Sequence, residues 1–339
     1  MISFNLYTIL GILLLIALPI VIFDNYKDYW DDVYHNKPVK TGWIVFLFFC
    51  LLIVLYTYFS GNYDDEKVSV PGVLTELHGF LFDLLIVGVL LVFIDHKRES
   101  RRKKERYKEG IDDFRHWKSA EASHRILGSF KRLQGEKEKN IDLSYCNFIG
   151  TTIIDFSFGD ANLNSSKFVK STLIDIKLKN KFLKYPTFLN TEISRVNFEY
   201  EELFQATFKG RKTVLYYIGF PRSSILAGCV FDGVTFLHVD FSDTIIKSCR
   251  FLNIPNMNGV FFNNAFLLNT LFIDTSFTYN IHFTGATICN CEFKNVEGLT
   301  YDILSKAKSV YRCKLDETLL QEIKEKKPEL LDKPEDYIE

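Results

Sequence analysis

Three long apolar runs and one five-residue step account for most hydrophobic positions in this chain. From Met1 to Phe23 no side chain is charged, and the stretch LYTILGILLLIALPIVIF is long enough to cross a hydrocarbon core of about 30 Å. A cleaved signal peptide is the competing reading, disfavoured because no basic n-region and no small-x-small site precede Asp24. A second uncharged run covers Thr41 to Tyr63, with Trp43 at one end and Tyr56 and Tyr58 at the other, where interfacial aromatics belong. The third, Val73 to Ile94, is followed at once by HKRESRRKKERYK, whose Arg101, Arg102, Lys103 and Lys104 sit in a basic cluster that marks the cytoplasmic side. The pattern predicts a transmembrane region over 1–95, with helices at 4–23, 42–60 and 73–95. Counting back from the basic cluster places the N-terminus outside and everything after the third helix in the cytosol.

The third run carries two acids. Glu76 and Asp83 are two helical turns apart and share a face with Gly72 and Gly79. An intramembrane carboxyl is costly against lipid and turns toward other helices or water. One reading is an oligomeric pore with Asp83 in the lumen and Glu76 at the outer mouth. The other is that Glu76 sits at the membrane interface and Asp83 hydrogen-bonds a neighbouring helix, with Gly79 on the same packing face.

Residues 96–140 form a basic connector, with fifteen Lys and Arg against eight Asp and Glu between 96 and 139. That excess fits a stop-transfer signal that also touches anionic lipid. From Asp112 to Leu133 the spacing of Phe114, Trp117, Leu127 and Phe130 predicts an amphipathic helix, with Phe114 and Trp117 as its capping side chains. Beyond Asn140 the period changes. Stepping by five from Leu143 gives Phe148, Ile153, Phe158, Leu163, Phe168 and so on to Phe208 without a polar residue. The step breaks at KGRKTVLYYIGFPRSS, resumes at Leu226, and runs with single-residue slips to Phe293. Small or β-branched residues stand two positions earlier, as at Cys146, Thr151, Ala206, Cys229 and Cys249. A step of five fits neither helix nor strand, so the chain must turn repeatedly about an axis.

The units CNFIG, GDANL, QATFK, TGATI and CNCEF make this region resemble the pentapeptide-repeat proteins, whose repeat looks like A(D/N)LXX. The resemblance implies an all-β right-handed quadrilateral β-helix over 141–296, with an insertion at 209–225. It also implies stacked Phe and Leu inside and about seven coils at roughly 4.8 Å each. The tail, 297–339, resembles that family's helical cap, with a short helix near Tyr301 to Ser309 and a second after Asp316. The expected fold is therefore an N-terminal three-helix transmembrane region plus a pentapeptide-repeat solenoid with helical caps.

Composition narrows function. Hydrophobic residues make up 47 % of the chain while 41 Lys and Arg balance 42 Asp and Glu, so apolar and charged segments are segregated. The 32 Phe are explained by the inward stack and the apolar runs. Seven cysteines form no paired framework, and Cys289 and Cys291, two apart on a strand, should point to opposite faces, so neither a disulfide scaffold nor a metal site is expected. No phosphate loop, GxSxG or HExxH occurs, and the seven His are scattered. Neither an enzyme nor a cofactor is expected. Some pentapeptide-repeat proteins mimic DNA through a strongly acidic face; here 141–296 is nearly neutral, which departs from that pattern.

The interruption combines Lys209, Arg211, Lys212 and Arg222 with Tyr216, Tyr217 and Phe220. Basic residues interleaved with aromatics are the composition used for single-stranded nucleic acid or nucleotides, while a protruding loop packing on a neighbouring subunit reads the same residues differently. Lys177, Lys179, Lys181 and Lys184 add a basic stretch upstream. The whole architecture is similar to bacterial membrane effectors of phage defence. That likeness implies an oligomeric inner-membrane channel controlled by its cytosolic solenoid, with lipid, other copies and an oligonucleotide or partner protein as candidate partners. The alternative is a membrane-anchored scaffold that recruits proteins without transport.

Overall fold

A computed structural model describes residues 70–335 and Tyr337. Contacts divide the chain into two units, 1–102 and 103–339. In the first, the backbone of the third apolar run lies in helix α1 (Val70–Phe114), which continues into the second unit. Among the described residues no helix is long and apolar enough to cross a membrane. The expected spans 4–23 and 42–60 lie outside the described residues, as do most side chains of the third run, Glu76 included.

The second unit is a right-handed β-solenoid of about eight turns, one more than the sequence suggested. Its 20 strands pair in parallel. The five-residue step has a local cause. In most units one large side chain points inward, a small one two positions earlier also points inward, and the residue two positions after the large one turns the corner in the left-handed region. At one corner those turning residues are Asp155, Asp175, Arg195, Tyr217 and His238, with φ between 48° and 55°. Four such sides close a coil, so Phe148, Phe168, Phe188 and Phe208 lie in register, 20 residues apart.

Because neighbouring coils are one strand spacing apart, the rings must stack at that spacing. Phe148–Phe168, Phe188–Phe208 and Phe251–Phe272 have centroids 4.8, 4.7 and 4.6 Å apart and near-parallel planes. Columns from adjoining sides then meet edge-on, as Phe241 meets Phe251 at 6.1 Å and 89°. The small inward residues have a polar task as well. Thr191 Oγ1 donates to the Phe168 carbonyl at 2.9 Å, and the Cys229 and Cys249 thiols donate to the Leu203 and Leu226 carbonyls at 3.3 Å, each tying one coil to the previous one. Burial pushes the Cys229 thiol well above its ordinary pKa and the Cys146 thiol to about 12, so both stay neutral. Cys289 and Cys291 are both buried rather than on opposite faces, because the strand Thr287–Cys289 ends between them and the chain turns.

The first coil is capped by helix α2 (Ala120–Gly135), started by Ser119, whose side chain accepts from the Ala122 N–H. Ile126, Phe130 and Leu133 cover the open layer, and Phe130 lies 5.6 Å from Phe158. The expected single helix over 112–133 is instead broken by a turn after Phe114, which leaves Trp117 60 % exposed and only Phe114 packed on the core. At the other end the ladder passes 296: the strand Ser309–Tyr311 pairs with Thr287–Cys289. Helix α3 is one turn (Tyr301–Leu304), and helix α4 (Glu317–Lys326) with the 3-10 turn Pro328–Leu331 closes the end through Leu319, Ile323 and Leu330.

Candidate functional site

Among the described residues, the interrupted segment is where the coil length departs most from 20. Phe231 pairs with Phe208, 23 residues earlier, where the preceding coils take 20. The segment is not a protruding loop. The strand Val214–Gly219 occupies the second side of its coil, pairs with Glu192–Ser194 and Thr235–Asp240, and buries Leu215 and Ile218, with Phe220 buried just after it. Only three residues are surplus. Leu215 lies 22 residues after its partner Ile193, so two of the three precede it. Backbone bonds place Gly210 level with Asn190, and Val214 bonds the Thr191 carbonyl, which leaves Arg211 and Lys212 as the pair pushed out at the corner.

Arg211 and Lys212 are exposed and, with Lys170 and Asn190, border a shallow depression of about 670 Å³ whose other walls are Ser171, Thr172 and Glu192. Lys209 and Arg222, grouped with them by sequence, are committed elsewhere: Lys209 pairs with Asp232 at 3.0 Å and Arg222 with Asp243 at 3.4 Å. The Asn253 amide and then Lys209 hold the Asp232 carboxyl below its ordinary range.

Across the same side of the coil the aromatics form a second corner. Tyr216 meets Tyr217 edge-on at 4.4 Å, and Tyr217 stacks on His238 at 4.8 Å and 10°. His238 leans over Gly259, where a Cβ would come within 2.8 Å of Nδ1; glycine at φ +64° leaves that room. On the other flank Arg195 binds Asp175 through two bonds of 2.7 Å, which hold the Asp175 carboxyl below its usual range. The sequence reading missed Lys170, Arg195 and His238. Their signal was spacing, since each lies about one coil from a neighbour in the cluster.

The upstream basic stretch does not extend this surface. Lys177, Lys179 and Lys184 are exposed on the strand Thr172–Lys184, but its partner Asn197–Phe204 carries Glu199, Glu201 and Glu202, and Lys179 is level with Glu199. The side chain of Lys181 lies outside the described residues. In the basic connector Lys104 is bound to Glu138 at 3.0 Å, while Arg101, Arg102 and Lys103 are exposed. On α1, Gly79, Asp83 and Val87 are exposed at four-residue spacing and so share a face. Among the described residues no cluster of His, Cys, Asp and Glu could hold a metal ion.

No family model and no curated protein matches this chain. Among solved structures it is similar to HetL, a pentapeptide repeat protein involved in heterocyst differentiation regulation from the cyanobacterium Nostoc sp. strain PCC 7120. The identity is 12 %, over 56 % of this chain and 94 % of HetL, with a TM-score of 0.26. It is also similar to trypsin-treated QnrB1, a plasmid-mediated fluoroquinolone resistance protein, at 13 % identity over 53 % of this chain and 95 % of QnrB1, with a TM-score of 0.28. The solenoid assignment rests on this chain's own register.

Proposed function

We propose that the protein is a non-enzymatic, membrane-anchored effector: an oligomeric inner-membrane channel of bacterial antiphage defence, controlled by its cytosolic repeat domain. The observation that carries this reading is the continuity of α1. One helix holds the apolar run with Asp83, the first part of the basic connector, and Ile111, which is buried in the solenoid's core cluster. The route we propose from the solenoid's first cap to the apolar run is this one helix. The exposed face of Gly79, Asp83 and Val87 supplies small and polar positions of the kind helices use to pack or to line a lumen.

The scaffold reading has one observation in its favour. Ile225, Ile245 and Phe266 follow one another in register along the outside of a single side of the solenoid, with Leu268 beside Phe266, a short apolar row where a solvated rod would be polar. Potassium efflux and dye entry in cells expressing the full chain separate the two. The channel reading expects leakage that falls in Asp83→Ala and Glu76→Ala at equal membrane abundance. A membrane-resident parent that never leaks leaves the scaffold.

A further inference from the structure

The geometry points to a binding site for a single-stranded oligonucleotide across the strand Val214–Gly219, with phosphates on Lys170, Arg211 and Lys212 and a base on Tyr217. Three features meet there. The two surplus residues are both cationic, and they stand beside Lys170 at the rim of the depression. None of the three forms an ion pair among the described residues, although the neighbouring Lys209 and Arg222 do. Glu192 is the one acid in the lining, so an anion sits toward the three cations.

Five residues further on, Tyr217 is 52 % exposed and braced by His238 and Tyr216, so its ring is held in place as a stacking platform. Lys212 and Tyr217 are at most about 17 Å apart along an extended strand. Up to roughly five stacked nucleotides at about 3.4 Å each fit within that span. An unstacked base needs a single strand, because a duplex keeps its faces covered. The site does not depend on the channel reading, since binding is measured without transport.

The test is fluorescence anisotropy with the full chain in detergent and a labelled oligothymidylate of about twelve nucleotides. Three phosphate contacts predict that log K falls with log salt at a slope of about −2. The double variant Arg211→Glu, Lys212→Glu should weaken binding about tenfold or more and cut the slope to about −0.7. Tyr217→Asn keeps a residue that tolerates φ near +50°, and should weaken binding about 5-fold to 100-fold at an unchanged slope. Absent binding at about 50 mM salt, or variants with unchanged melting temperature and unchanged affinity, overturns the proposal. Displacement by inorganic phosphate as effective as by unlabelled oligothymidylate overturns the ligand class, because it leaves Tyr217 no part.

Discussion

At the scale of single residues, the solenoid is unforgiving inside and at its turns. Phe251 stacks on Phe231 and Phe272 at 4.9 and 4.6 Å and meets Phe241 and Phe262 edge-on, so its truncation opens a cavity touching three coils. Phe251→Ala should cost about 3–5 kcal/mol, measured by chemical denaturation of the full chain in detergent. Gly298 is a different kind of constraint. Its φ is +78°, and a Cβ there would run into the Phe277 carbonyl oxygen, a backbone atom that cannot rotate away. Gly298→Ala should therefore cost more than the roughly 1–2 kcal/mol of the left-handed conformation alone. A loss below that range in the same measurement would mean that the last coil shifts to make room.

At the scale of elements, the question is which irregularities the coil absorbs. Deleting Arg211 and Lys212 returns the 23-residue coil to 21, the length already found between Phe251 and Phe272. The deletion should leave the circular dichroism unchanged and move the melting temperature by only a few degrees, about 1 kcal/mol or less, because no buried side chain is lost. Another element-scale link is Glu138, which binds Lys108 and Lys104 of α1; the Lys108 bond is the larger cause of its lowered pKa. A depressed carboxyl stabilises above its unfolded pKa of about 4.3 and loses that contribution as pH falls through the folded value. Glu138→Gln should thus melt lower than the parent at neutral pH by no more than about 1 kcal/mol, and the gap should close in acid.

Which elements the sequence revealed follows from the range of the interactions involved. The step from Leu143 to Phe208 is a local repeat and identified the coil, its inward column and the small residues beside it. The size of the interruption was not local. It emerges only when Phe231 is set against Phe208, and then the apparent insertion shrinks to three residues. The lysines of the strand Thr172–Lys184 looked like a patch because their acidic neighbours lie one coil away, at Glu199 to Glu202. Trp117 failed as a cap because helical spacing continued through a turn that only the bond from its N–H to the Phe114 carbonyl reveals.

At the scale of the whole molecule, the effector reading stands on one helix passing from the apolar run to the solenoid's core, which makes the continuity of α1 the place to attack it. Arg102 is exposed on α1, so its replacement removes no packed side chain. Arg102→Pro deletes a backbone donor and clashes with the preceding turn, at a cost of about 3 kcal/mol to the local helix. Arg102→Ala removes the same charge and keeps the helix. If the repeat domain acts on the membrane part through α1, the proline variant should retain the denaturation profile of the solenoid while its leakage no longer responds to oligonucleotide. The alanine variant should respond as the parent does. Equal responses in both would remove helical continuity as the route of control, and loss in both would trace the response to the Arg102 charge.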